Sequence, residues 1–129
     1  MKTAEPSIRD SRPVVFGEVL FDCFDNDNSR VLGGAPFNVA WHLQGFGLEP
    51  LLLSRVGDDQ AGHSILNVMQ RWGMDTGGVQ VDPLHATGEV NIHLRDGQHS
   101  FDILPDRAYD YIDETLCPPL KPTLLYHGS

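Results

Sequence analysis

Apolar and polar positions along this chain fall into blocks whose period changes several times. Val14-Val15-Phe16-Gly17-Glu18-Val19-Leu20-Phe21 is almost unbroken apolar sequence, the pattern of a strand covered on both faces in a parallel sheet. Asp22 ends that run. Cys23 to Arg30 is polar, with Asp25-Asn26-Asp27-Asn28 at its centre, and reads as a loop or a short exposed turn of sheet. Gly33-Gly34-Ala35-Pro36 then opens a helix, with Pro36 in the first turn where proline is tolerated. Phe37, Ala40, Trp41 and Phe46 supply its apolar face, and Gly47 a left-handed stop. Leu51 to Gly57 is a second buried strand. Asp58 or Asp59 caps the next helix, on which Ala61, Ile65, Leu66, Met69 and Trp72 recur at helical spacing until Gly73.

Strand, helix, strand, helix in this order implies a βαβ unit, hence an α/β fold on a Rossmann-like parallel sheet. Beyond it the period shortens. Val79 to Asp82 suits a short strand, and Val90, Ile92 and Leu94 alternate with Asn91, His93 and Arg95 before Asp96-Gly97, a favoured two-residue hairpin turn. Pairing Arg95 with Gln98 sets Ile92 opposite Phe101 and His93 opposite Ser100. One side of the hairpin then carries Val90, Ile92, Leu94, Phe101 and Ile103, and the other is polar. Ala108 to Glu114 reads as a short helix, and Thr123-Leu124-Leu125-Tyr126 begins another buried strand. Residues 1–12 show no periodicity and read as a loose N-terminal tail; residues 13–129 form one domain portion.

Charge narrows the possible partners. Nine Lys and Arg stand against 18 Asp and Glu, a net charge of −9. That balance repels phosphate backbones and anionic lipid, so no nucleic acid and no membrane are expected as partners. No apolar run is long enough to span a bilayer, and the first ten residues lack the apolar core of a secretory signal. Two cysteines, Cys23 and Cys117, lie far apart and outside any metal-ligand spacing, which fits a cytoplasmic protein with reduced thiols. Six histidines show no ligand spacing, and the hairpin register sends His93 and His99 to opposite faces, so no metal site is expected. The Asp25 to Asn28 run lacks the Gly and Glu of a calcium loop and reads as a solvated turn.

The candidate chemistry lies in Gly33-Gly34-Ala35-Pro36-Phe37-Asn38. Paired glycines before a helix let a ligand approach the backbone, and the helix start offers unpaired N–H donors. Asn38 would add an amide donor and acceptor suited to a sugar hydroxyl. An ordinary strand-to-helix turn explains the local chemistry about equally well. The segment is neither a Gly-x-Gly-x-x-Gly dinucleotide fingerprint nor a phosphate-binding P-loop. Asp22, at the end of its strand, stands where α/β sheets bind ligands and could accept from two vicinal hydroxyls; a loop or helix-cap aspartate is the alternative.

Gly33, Gly34, Asn38 and Ala40, followed by Gly47 and Gly57, reproduce the first signature of the ribokinase-like (PfkB) carbohydrate kinases. Gly17-Glu18-Val19-Leu20-Phe21-Asp22 resembles the first strand of the fructokinase branch. Val56-Gly57-Asp58-Asp59 with Gly62, and Ala86-Thr87-Gly88, also look typical of the family. The resemblance runs from Val14 to the chain end and matches only the family's N-terminal part. It implies an incomplete ribokinase-like fold with a small antiparallel lid hairpin, small because only residues 23 to 32 separate Asp22 from Gly33. It implies Asp22, Gly33, Gly34 and Asn38 as substrate-binding residues, and Ile92 and Phe101 as lid contacts. The implied substrate is a sugar, foremost fructose, phosphorylated with ATP and Mg2+. The catalytic Asp and the ATP part are expected beyond residue 129, so this chain alone is expected to be inactive, and the intact protein a homodimer. A truncated non-catalytic or self-assembling fragment, or another sugar, 2-keto-3-deoxygluconate or nucleoside specificity, stands as the alternative.

Overall fold

The computed structural model describes residues 12–118 and 125–127. Most of the expected tail, the expected strand start at Thr123 and Leu124, and the last two residues lie outside them.

The chain builds two four-stranded sheets. The first is parallel and forms the body, with β1 (Val14–Phe16), β4 (Leu51–Gly57), β5 (Val79–Asp82) and β8 (Leu125–His127) in the order β5-β4-β1-β8. The second contains β2 (Leu20–Phe24), β3 (Arg30–Gly33), β6 (Gly88–Arg95) and β7 (Gln98–Ile103) in the order β3-β2-β6-β7. Within it β2 runs parallel to β6, while β3 and β7 pair antiparallel at the edges. Helices α1 (Ala35–Gly45) and α2 (Gln60–Arg71) complete the body.

Alternation along β1 and β4 explains the layers. Val15, Leu52 and Val56 point to one face, where Phe37 and Ala40 of α1 and Ile65 and Met69 of α2 close a core with Val19 and Met74. Val14, Leu51 and Leu53 point to the other, packed by Phe16 and Cys117. Both faces are thus apolar, as a parallel sheet demands. Gly47 and Gly73 follow the two helices with φ of 79° and 82°, the left-handed stops that glycine provides.

Several expectations are corrected. Val14 to Phe21 is not one strand: the run breaks at Gly17 (φ 145°), whose N–H donates to Leu53 O at 3.1 Å, and its halves enter different sheets. The stretch reads as continuous because each half is buried against a different partner. Asp22 therefore does not end a body strand; it is the third of five residues in β2. The lid is a four-stranded sheet rather than a hairpin, because β2 supplies a strand and Arg30–Gly33 folds back on it. Phe46 lies past the end of α1 and is 80% exposed, so it does not join that helix's apolar face. Trp72, at the C-cap of α2, stacks on Trp41 instead of entering the core, with centroids 5.0 Å apart. Ala108 to Glu114 is not one helix; 3₁₀ turns form at Ala108–Tyr111 and Glu114–Leu116. Leu125 of β8 is exposed, not buried. The hairpin register Ile92↔Phe101, His93↔Ser100 and Arg95↔Gln98 is as the alternation predicts.

Body and lid are tied at one buried point. Asp59 caps α2, its Oδ1 accepting from Gly62 N–H at 2.7 Å and from the Thr87 hydroxyl at 2.6 Å. Its Oδ2 accepts from Thr87 N–H at 3.0 Å, and the Thr87 oxygen accepts from Gly57 N–H at 2.9 Å. Burial alone would raise the Asp59 carboxyl; the bonds from Thr87 and Gly62 outweigh it and hold the group below the usual range. Both glycines are required by space. A Cβ on Gly57 would lie 2.7 Å from Thr87 N and from His85 O, and one on Gly62 would collide with Gly57 O.

Thr87→Val keeps the side-chain shape and deletes the hydroxyl, leaving Gly57 N–H without its acceptor. Urea unfolding should show a loss of about 1–3 kcal/mol with little change in m. An unchanged midpoint would mean that this knot does not hold the fold.

Candidate sugar-binding site

The chain leaves the body beyond the C-terminal end of β1, where α/β sheets bind ligands, and returns to it through Gly33 and Gly34. Those two crossings touch. Gly34 has φ 100°, and a Cβ there would lie 2.8 Å from Glu18 O, so a side chain is excluded by conformation and by space. Gly33 pairs with Leu20 in the β2–β3 register, and its missing Cβ would lie 3.0 Å from Asp22 Oδ2. Asp22, Gly33 and Gly34 therefore meet at one spot.

The lid registers define what surrounds Asp22. Leu20 and Asp22 share a face, and across the sheet from them lie Gly88 and Val90 on β6 and Gly33 and Val31 on β3. Leu20, Val90 and Ile92 are buried together with Phe24 and Tyr109 against them. Phe101 and Ile103 continue this face on β7 and are 65% and 66% exposed. Asp22 is thus a lone carboxylate on an apolar sheet face. Among the described residues it accepts no hydrogen bond, and burial pushes its carboxyl above the ordinary value. Of the expected lid contacts, Ile92 is buried beside this face and Phe101 stands open on it.

Gly34 is the N-cap of α1, and no side chain caps the helix. The helix start therefore presents backbone donors next to Asp22. Asn38 closes the first turn through its backbone N–H, 2.9 Å from Gly34 O. Its side chain is exposed, makes no hydrogen bond among the described residues, and does not join the Asp22–Gly33–Gly34 contact.

The opposite face of the lid holds a cleft of about 410 Å³ lined by Cys23, Asp25, Arg30, Glu89, Asn91 and His93. Its charged groups are spent on each other. His93 Nδ1 lies 2.7 Å from Asp25 Oδ2, and Arg30 reaches Glu89 at 3.3 Å while covering the Phe21 ring at 4.4 Å. The His93 hydrogen bond holds Asp25 below the usual carboxylate range. This cleft lacks the free carboxylate and the backbone donors of the Asp22 side.

Two participants escaped the sequence reading. Strand β3 was hidden because Arg30-Val31-Leu32 is short and follows an Asx-rich turn; its alternation with Phe21 and Cys23 across that turn is the signal that marks it. Tyr109, which packs on Gly88, carries no local signal, since a ring filling a glycine's space is a tertiary fact.

The family model described as the pfkB family carbohydrate kinase matches residues 13–123. An uncharacterized sugar kinase of Pyrococcus horikoshii is 35% identical over 77 residues, covering 60% of this chain and 25% of that protein. The Arabidopsis thaliana protein named "Probable fructokinase-5" is 33% identical over 100 residues, covering 68% of this chain and 31% of its own length. The chain thus spans a quarter to a third of these relatives. Among solved structures, the P. horikoshii kinase superposes with a TM-score of 0.74 at 28% identity, covering 82% of this chain and 40% of that one. Fructokinase from Vibrio cholerae O395 gives 0.75 at 25% identity, covering 84% and 39%. The fold is that of ribokinase-like sugar kinases, and the chain belongs to the pfkB family of carbohydrate kinases.

Proposed function

We propose that this chain is the sugar-binding part of an ATP-dependent, fructokinase-like kinase that transfers a phosphoryl group to a sugar hydroxyl. The observation that carries this reading is Asp22: an unpartnered carboxylate on an apolar lid face, packed against the Gly33–Gly34 entry to an uncapped helix. A carboxylate accepts from two vicinal hydroxyls, backbone donors serve the sugar oxygens, and the apolar strands take the C–H face of the ring. Gly33 and Gly34 are the close-approach surface, and Asn38 is a second hydroxyl ligand reached from the first turn of α1. Fructose is the favoured substrate because the relatives include proteins named as fructokinases.

ATP and Mg2+ are the co-reactants of this reading, and a second structure of the P. horikoshii relative is a complex with ATP. The described residues do not fit either group. Among the described residues no cluster of three or more His, Cys, Asp or Glu could hold a metal, and the loop entering α1 has no P-loop lysine or hydroxyl. The role assigned to residues 1–129 is therefore binding, with the ATP part and the catalytic Asp assigned outside them. Among the described residues no helix is long and apolar enough to cross a membrane, and both cysteines are free. The cytoplasm is the compartment these features suit.

Phe101 and Ile103, with Val31 and Leu94 also exposed on the Asp22 side, leave an apolar lid face open. We assign it to a second copy of the chain, making a homodimer across the lids; open apolar sheet recruits such partners.

Calorimetry with D-fructose should show binding to the chain that Asp22→Ala weakens about ten- to a hundredfold, with a smaller loss for Asn38→Ala. A coupled ADP-release assay with ATP and Mg2+ should show no sugar-dependent turnover. Equal affinity in both variants would remove these residues from the site, and turnover would overturn the division of labour.

Asp22 also predicts a stability trade. Its folded carboxyl is raised by burial, so the native state holds its proton more tightly, and stability from this group falls as pH rises out of the usual carboxylate range. Asp22→Asn removes that penalty. Its urea midpoint should exceed the parent's at pH 7, with a margin that shrinks toward pH 4, while sugar binding weakens. A lower midpoint at pH 7 would show that the carboxylate has a structural partner.

Phe101→Asp should shift the oligomer toward smaller species in light scattering. A parent chain already monomeric would end the dimer assignment.

A further inference from the structure

Tyr109 occupies a place that the substrate assignment leaves empty. Gly88 opens β6 directly opposite Leu20, and a Cβ on it would lie 2.5 Å from both Cδ2 and Cε2 of the Tyr109 ring. The same Cβ would lie 3.1 Å from Leu20 Cβ, so the ring fills the missing side chain on the face that carries Leu20 and, two residues on, Asp22. The ring packs with Leu20, Val90 and Ile92, the buried residues that border the carboxylate.

The backbone holds this ring in place. Tyr109 sits in the 3₁₀ turn Ala108–Tyr111, where Ala108 N–H donates to Ala86 O at 2.7 Å, one residue before Thr87. Arg107 N–H donates to Asp110 Oδ2 at 3.2 Å and the Arg107 guanidinium reaches Thr87 O at 3.5 Å. The turn is thus fastened to the strand entry that Asp59 also grips. The phenol end is different. It has no hydrogen-bond partner among the described residues, and burial, then Asp110 and Glu18, push its proton affinity up. Glu18 belongs to the crossing that Gly34 touches, so its carboxylate ties the hydroxyl to that crossing. A half-buried phenol that stays protonated and has no protein partner among the described residues is free to donate to a ligand.

We infer that Tyr109 is a specificity-determining wall of the sugar site, its ring seated on Gly88 and its hydroxyl donating to one ring hydroxyl or ring oxygen of a monosaccharide. This rests on the sugar-binding reading of Asp22.

The test uses the 129-residue chain, D-fructose and its monodeoxy analogues, read by calorimetry, with circular dichroism as the check of fold. Tyr109→Phe keeps the ring on Gly88 and removes only the oxygen; fructose affinity should fall about two- to tenfold. One monodeoxy fructose should bind the parent more weakly by a similar factor and bind Tyr109→Phe without that further loss, the non-additivity that marks a shared contact. Gly88→Ala, which must push the ring aside with its hydroxyl intact, should lower affinity at least as much. If the parent binds fructose and Asp22→Ala weakens it while Tyr109→Phe changes neither affinity nor the deoxy pattern, the inference about Tyr109 is wrong and the Asp22 site stands. If the parent binds no fructose, the sugar site and the Tyr109 wall both fall.

Discussion

The junction of body and lid hangs on the carboxylate of Asp59. One side chain caps α2 through Gly62 N–H, grips Thr87 by hydroxyl and N–H, and through Thr87 reaches back to Gly57 at the end of β4. Body strand, body helix and lid strand thus share one buried polar cluster in which every bond reinforces its neighbours. Close approach is a condition of that cluster, and it accounts for glycine at 57 and 62 without reference to the ligand. Beyond it, β6 begins at Gly88 with its position set, and the registers carry that position across the lid to Leu20 and Asp22. The start of β6 is thus anchored at the same point as the N-terminus of α2.

The lid solves a conflict between burial and binding. A sheet stable enough to persist needs an apolar face, yet a sugar needs polar partners. The chain keeps Leu20, Val90 and Ile92 apolar and admits a single carboxylate among them, at a cost visible in the raised proton affinity of Asp22. On the outer face two ion pairs form, Asp25 with His93 and Arg30 with Glu89.

Local chemistry decided how much of this could be read in advance. The β4–α2 unit was legible because strand, cap, helical period and glycine stop agree over one continuous stretch, and the β6–β7 register because alternation and Asp96-Gly97 fix it together. The Val14 to Phe21 run misled because burial in two sheets leaves the same composition as burial in one; only the backbone at Gly17 separates them. The misreading moved Asp22 from mid-strand to a strand end, yet its closeness to Gly33 did not depend on that placement. Glycine pairing and an adjacent carboxylate survive a shift of sheet. Asn38 was legible as an amide in a first turn, and its distance from Asp22 was not, since that distance depends on how α1 leaves the lid.

The division between legible and illegible features follows the range of the interaction that makes them. Caps, stops and hairpin turns are settled within a few residues, so single positions announce them. The contacts that build the site join residues far apart: Asp59 to Thr87, Glu18 to Gly34, Tyr109 to Gly88. In each, at least one partner is a glycine or small polar residue whose local reading is an ordinary turn. Glycine at such a position records the shape of something else in the fold, a carbonyl at Gly34, a carboxylate oxygen at Gly33, an aromatic ring at Gly88. The three space-limited glycines of the lid and its crossings thus each mark where another part of the fold presses on the chain around Leu20 and Asp22.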